Sequence, residues 1–296
     1  MIHIKRLVSF FLILATLLPM VGCQRKEAVQ IAATTLPVYD FTNSLCQDTG
    51  LKVAKLVTEE VSCLHDYTLQ VDQTKILEQA ELVVISGAGL ESFLPDIDES
   101  KLVDASVGIT LHDPNAGVEH THEHNDHEHH HNEDPHIWLS VQNAKVMCSN
   151  ILDGLINKYP EHKETIERNY ILLQSKLTDL EKYAETQLSQ ITHKKLITFH
   201  DGFHYLAESL DLSIIHAIEE ESGSEASANE LKQLILLVRE HELPAIFTER
   251  SGSTSAADVI ARETKVPIYT LDMAMSGDSY FDAMYHNIDT LKEALE

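Results

Sequence analysis

Cysteine is scarce in this chain: four residues in 296, at Cys23, Cys46, Cys63 and Cys148. Apart from Cys23, three remain, and three cannot all pair within one chain. Their spacing matches no zinc pattern. They read as small buried apolar residues, with a Cys46–Cys63 bridge left open. Basic residues are short as well, 22 Lys and Arg against 47 Asp and Glu, for a formal net charge of -25. Phosphate contacts need clustered Lys and Arg, so nucleic acid is excluded as a partner. The same balance suits the capture of cations. Apolar runs of any length are confined to the N-terminus, and no second one reaches spanning length. No G-x-x-x-x-G-K-[ST] occurs, which excludes ATP binding by a P-loop.

What is present begins with a leader. Lys5 and Arg6 precede an apolar stretch over residues 7–18, too short to span a membrane in the usual way. This is the pattern of a secretory signal over residues 1–22. Pro19-Met20-Val21-Gly22-Cys23 resembles a bacterial lipoprotein processing site, with Met20 where Leu is usual. On that reading Cys23 is the lipid attachment point, and the chain is extracytoplasmic, lipid-anchored to the bacterial cell membrane or periplasmic. Removing the leader takes away two basic residues and no acidic one, which moves the formal charge from -25 to -27.

Residues 119–134 read EHTHEHNDHEHHHNED, seven histidines and six acids without one Lys or Arg. The histidines are His120, His122, His124, His127, His129, His130 and His131. Imidazole is the commonest ligand for borderline metals, and interleaved carboxylates favour the cation. The run is internal, which argues against an expression tag. It predicts a set of weak metal sites on a loop. His127-Glu128-His129-His130-His131 also fits H-E-x-x-H. That pattern works on a helix docked by an apolar face, and none exists here.

The rest of the chain predicts an α/β fold. Short β-branched runs at 29–34, 51–57, 82–86 and 101–105 read as strands. Helical patterns lie at 38–45, 73–79 and near 90–93. After the histidine loop, 141–159 reads as a helix. Ile166, Tyr170, Leu173, Leu177, Leu180 and Leu188 then mark one long amphipathic helix over 160–191, with Pro160 in its first turn. The alternation restarts with strands at 195–199, 212–218, 245–248 and 268–271 and helices at 202–209, 226–241, 254–264 and 280–295. The expected organisation is a first lobe over 23–159, a backbone helix over 160–191 and a second lobe over 192–296. Each lobe is a mostly parallel sheet flanked by helices.

Ligands bind beyond the carboxyl ends of strands in such sheets. His200, Glu249 and Asp272 close three predicted strands of the second lobe. His65 follows a strand of the first lobe, and His136 follows the histidine run. Three imidazoles and a carboxylate from two lobes would make a closed four-coordinate site that suits zinc.

Several tracts resemble one family. Asp134-Pro135-His136-Ile137-Trp138-Leu139 resembles the DPH-x-WL motif of the metal-binding subunits of bacterial zinc and manganese ABC importers. The segment from Phe199 through His200, Asp201, Phe203 and Tyr205 is similar to that family's H-D-x-F-x-Y segment. The run from Leu82 to Glu91 resembles its G-x-G-L-E strand end, and His65-Asp66-Tyr67 its H-D-[YF]. Ile246-Phe247-Thr248-Glu249 and Leu271-Asp272 look like its late strand ends.

The resemblance implies two α/β lobes about a backbone helix with a metal between them. It implies the ligand set His65, His136, His200 and Asp272, with Glu249 a near-site candidate that replaces or assists Asp272. It implies a binder and not an enzyme: a monomer that delivers Zn2+ to an ABC permease. Imidazole at 200 favours zinc over manganese, while carboxylate-rich sets suit Mn2+. Two departures stand out. The prolines usual after His65 are missing, and Ser140-Val141 replaces a common Asp-Pro pair, with Ser140 able to cap the next helix. His204, four residues beyond His200, is expected to face solvent. The rival readings are a manganese- or iron-binding protein of the same class, a zinc-dependent hydrolase with Glu249 as base, and an adhesin that uses metal for structure.

Overall fold

In the computed structural model the described residues are 29–59, 61, 64, 67–112, 133–218 and 226–296. The leader with Cys23, His65, and the seven histidines of the run lie outside them.

The first lobe is built on β1 (Ile31–Ala33), α1 (Leu36–Leu45), β2 (Val53–Lys55), α2 (Val71–Gln79), β3 (Leu82–Ile85) and β4 (Leu102–Asp104). Its strands are parallel, in the order β2-β1-β3-β4. β1 is buried at every position. That is why its sequence is a continuous small-apolar run instead of an alternation: a parallel sheet is covered on both faces. α3 (Val141–Lys158) and α4 (Lys163–Gln187) follow. The Ser140 hydroxyl accepts from Asn143 N, so the serine that replaces the expected Asp-Pro pair does cap α3.

The second lobe repeats the plan with β5 (Lys195–Thr198), α5 (His204–Ser209), β6 (Ser213–Ala217), α6 (Ala228–Glu240), β7 (Ile246–Glu249), α7 (Ser255–Thr264), β8 (Ile268–Leu271) and α8 (Tyr280–Leu295). Its parallel order is β6-β5-β7-β8, the same permutation as the first. In each sheet the chain leaves the first strand to one side and returns on the other. This sets a switch point between β1 and β3, and another between β5 and β7. Crevices for ligands open at such points.

α4 joins the lobes. Ile166, Leu173, Leu177, Leu180 and Ala184 form its buried stripe. Its 25 residues reach about 37 Å. At the N-terminal end, Asn169 Nδ2 donates to the carbonyls of Leu45 (3.0 Å) and Gln47 (2.8 Å), where α1 ends. At the other end, Tyr183 Oη donates to Asp289 of α8 (2.6 Å). The helix is shorter than the 160–191 expected from periodicity. Pro160 opens a separate 3-10 turn, Pro160–His162, and the helix stops at Gln187. One apolar cluster runs from Phe41 and Val84 through Trp138 and Leu177 to Phe247 and Leu291, and so crosses both lobes.

The stretch near 90–93 is a turn and not the expected helix. Gly87, Ala88 and Gly89 all have φ between 53° and 82°. That left-handed run folds Glu91 back onto the Ser86 and Gly87 amides (2.7 and 3.1 Å), so the chain turns where a helix would have to start. Cys46 and Cys148 are free and buried, and burial pushes the Cys46 thiol up to about 12. Cys63, the partner in the Cys46 bridge left open by the sequence, lies outside the described residues.

Candidate metal centre

His136 enters the molecule on a short rigid segment. The 3-10 turn Ile137–Leu139 that follows is wholly buried. Trp138 Nε1 donates to the carbonyl of Met273 in the second lobe (2.8 Å), and Tyr280 Oη of α8 donates to Trp138 O (2.9 Å). The turn is thus tied to the second lobe twice, through the indole N–H and through the backbone carbonyl of Trp138. Asp134 Oδ1 accepts from His136 N (2.9 Å) and sits 2.7 Å from His136 Nδ1. A carboxylate at Nδ1 fixes the tautomer with the proton there and leaves Nε2 with its lone pair, the usual arrangement behind a metal-binding imidazole. The sequence reading passed over Asp134, although an acid two residues before a candidate histidine was signal enough.

His200 stands just past β5, in a bend before α5. The rings of His136 and His200 lie edge to face, with centres 5.2 Å apart and planes at 83°. Gly202 makes the approach possible. A Cβ there would fall 2.8 Å from His136 Nδ1, 2.7 Å from His200 Cδ2 and 2.6 Å from Met273 Cε, all closer than real contacts allow. His200 Nδ1 lies 3.6 Å from Glu249 Oε2, an ion-pair separation beyond hydrogen-bond reach. His200 follows β5 and Glu249 ends β7, so this pair straddles the switch point of the second sheet.

Asp272 follows β8 and is buried. Asn287 of α8 holds its backbone from both sides: Asp272 N donates to Asn287 Oδ1 and Asn287 Nδ2 donates to Asp272 O, each at 2.7 Å. Asn287 is itself completely buried among the apolar positions of α8. An Asn in phase with a helix's apolar stripe is the signal that would have found it. Asp272 Oδ1 accepts from Ala274 N (2.8 Å), and Oδ2 pairs with Arg250 Nη1 (2.8 Å). Glu249, Arg250 and Asp272 line one small cleft together with Val61 of the first lobe.

The structure therefore brings His136 beside His200 and His200 beside Glu249, and sets Glu249 and Asp272 on the walls of one cleft. Among the described residues, no group of three His, Cys, Asp or Glu side chains forms a finished metal site. His65 and the loop histidines lie outside the described residues. Leu64 and Tyr67, on either side of His65 and Asp66, are packed in the first lobe, with Leu64 fully buried and its carbonyl accepting from Tyr67 N.

His204 does not face solvent as expected. α5 starts at His204 itself, so no helical turn relates it to His200. Its Nε2 lies 2.6 Å from Asp201 Oδ1, and its ring stacks on that of His112 at 4.7 Å. The Asp201 hydrogen bond raises the His204 pKa, against desolvation. Tyr205 Oη accepts from His112 N (2.8 Å) and donates to Asp134 O (3.0 Å). Both roots of the 113–132 segment are thus tied to α5.

Two lobes of one strand order, a bridging helix, and a histidine and two acids at the strand ends of the second lobe define a two-lobed α/β protein with a candidate metal cleft. The chain belongs to the family described as the zinc-uptake complex component A, periplasmic (ZnuA), whose profile matches residues 31–294.

Solved structures agree. The metal-dependent lipoprotein YcdH of Bacillus subtilis superposes with a TM-score of 0.73 at 28% identity, covering 90% of this chain and 99% of that one. The Zn(II)-bound ZnuA-like domain of Streptococcus pneumoniae AdcA gives a TM-score of 0.73 at 27% identity, with 90% and 98% covered. The manganese ABC transporter substrate-binding lipoprotein scaA of Streptococcus gordonii is 30% identical over 172 residues, 55% of this chain and 56% of that protein. The match therefore spans about half the length of such curated relatives.

Proposed function

We propose that this chain is the extracytoplasmic metal-binding component of an ABC importer, anchored through a lipid on Cys23. It captures Zn2+ in the cleft and delivers it to a membrane permease as a monomer. The ligands are His65, His136, His200 and Asp272. Glu249, 3.6 Å from His200, stands near the site and assists or replaces Asp272, while Asp134 orients His136 from behind. The reading is of a binder and not an enzyme, in keeping with relatives named as substrate-binding lipoproteins.

The observation that carries this reading is the His136–His200 pair. With zinc-to-nitrogen bonds of about 2.0–2.1 Å, each ring centre stands about 3.2 Å from the ion, and two such rings at a tetrahedral angle are about 5.2 Å apart. The ring centres here are 5.2 Å apart. Val61 on the cleft wall supports a contribution from the first lobe, since His65 follows it by four residues. Imidazole at 200 favours zinc. The carboxylates at 249 and 272 and the manganese named for scaA support a second reading with Mn2+ as cargo.

The test is competition titration of the purified chain against a zinc chelator, with native mass spectrometry under mixed zinc and manganese. His65→Ala, His136→Ala, His200→Ala and Asp272→Asn are each expected to weaken zinc binding by more than about a hundredfold, beyond the cost of losing an outer-shell partner. Unchanged affinity in the three histidine variants would remove the site. Retention of manganese over zinc would replace the cargo and leave the site standing.

A further inference from the structure

We infer that Arg250 is a built-in competitor for the metal, a cationic latch that occupies Asp272 until an ion displaces it. The inference rests on Asp272 being a ligand, as proposed above. Arg250 Nη1 lies 2.8 Å from Asp272 Oδ2, while Oδ1 is engaged by Ala274 N. Both carboxylate oxygens are therefore in use, and the outer one faces a positive charge.

The two partners differ in freedom. Asp272 cannot leave, because Asn287 clamps its backbone from both sides. Its side chain is only 4% exposed. Besides its pair with Asp272, Arg250 is held at its backbone, where its N–H donates to Leu271 O (3.0 Å). Its side chain is 54% exposed. With that exposure the guanidinium has solvent to swing into, and the carboxylate does not. An arriving dication and the guanidinium compete for one oxygen.

The latch lowers affinity below what the ligand set alone would give. It also offers a returning partner for Asp272 when the ion leaves, so the buried carboxylate is not stranded without a counter-charge. Both effects suit a protein that must release what it binds.

The experiment measures zinc affinity by chelator competition for the wild type, Arg250→Gln, Arg250→Lys, Asp272→Asn and the double variant. Arg250→Gln is expected to tighten binding about three- to tenfold, the scale of a partly exposed charge-assisted pair. Arg250→Lys should fall between, because a flexible point charge replaces the planar fork. In the Asp272→Asn background the Arg250→Gln gain should shrink to under about twofold. Arg250→Gln leaves the buried Asp272 without its counter-charge, so the metal-free variant should unfold at a lower midpoint, and binding is measured on protein that circular dichroism shows to be folded. Weaker or unchanged binding in Arg250→Gln, with Asp272→Asn still impaired, overturns the latch alone. An equal gain in both backgrounds also overturns it, since that is a through-space charge effect. No loss in Asp272→Asn would instead sink the ligand reading on which the latch stands.

Discussion

Glu91 is the carboxylate in the first lobe most out of keeping with water. It is buried, and desolvation pushes its pKa up to about 7 despite hydrogen bonds from Thr34 Oγ1, Ser86 N and Gly87 N, with Asp104 adding to the rise. The folded pKa is raised, so the group favours the folded state fully below its unfolded value of 4.5 and loses that advantage as pH rises through about 7. The expected outcome is a folding stability, relative to Glu91→Gln, that declines from pH 4.5 to 7 by at most a few kcal/mol. Urea midpoints of the two proteins at pH 5 and pH 8 check it; a constant difference would count against it. The G-x-G-L-E spacing was legible as a strand end, but the carboxylate's role was not. One of its partners, Thr34, follows β1 at a separation of 57 residues along the chain, and periodicity carries no such pairing. Arg250 is a parallel case. Nothing in Thr248-Glu249-Arg250 marks the arginine, because its partner follows another strand.

At the scale of elements, the order of strands and helices in the βα alternation was readable, with most bounds within about two residues and the helix expected near 90–93 missing. β8 and α8 begin and end where expected, at Ile268–Leu271 and Tyr280–Leu295. These segments carry their own caps and apolar phase. What escaped was the 3-10 turn Ile137–Leu139, three buried apolar residues too few to show a period. That turn matters more than its length suggests, since it sets the position of His136 through Trp138. Trp138→Phe removes the bond to Met273 O and leaves a buried carbonyl without its donor. A loss of about 1–3 kcal/mol is expected, read from urea unfolding followed by circular dichroism, together with weaker zinc binding. Full affinity in this variant would mean that His136 is positioned by Asp134 alone.

Across the whole molecule, the apolar cluster that spans both lobes limits how they move. Wide opening would expose that surface at roughly 25 cal/mol per Å², and α4 is bonded at both ends. Capture by side-chain rotation is the cheaper course, and Arg250 is placed to make it. The histidines of the run, expected from the sequence to hold weak metal sites, lie outside the described residues; His112 and Asp134, on either side of them, are tied to α5. Deletion of 119–133 is expected to leave one tight zinc site and abolish several weak ones, counted by native mass spectrometry. Loss of the tight site would make the run part of the centre itself.

The chain holds one tryptophan. It is fully buried, and its ring centre lies 5.4 Å from that of His136. Ultraviolet emission excited in this protein near 295 nm therefore comes from a single indole wedged between the lobes, within van der Waals range of a candidate ligand. The molecule carries its own optical probe of the cleft, and loading can be followed on the unlabelled chain.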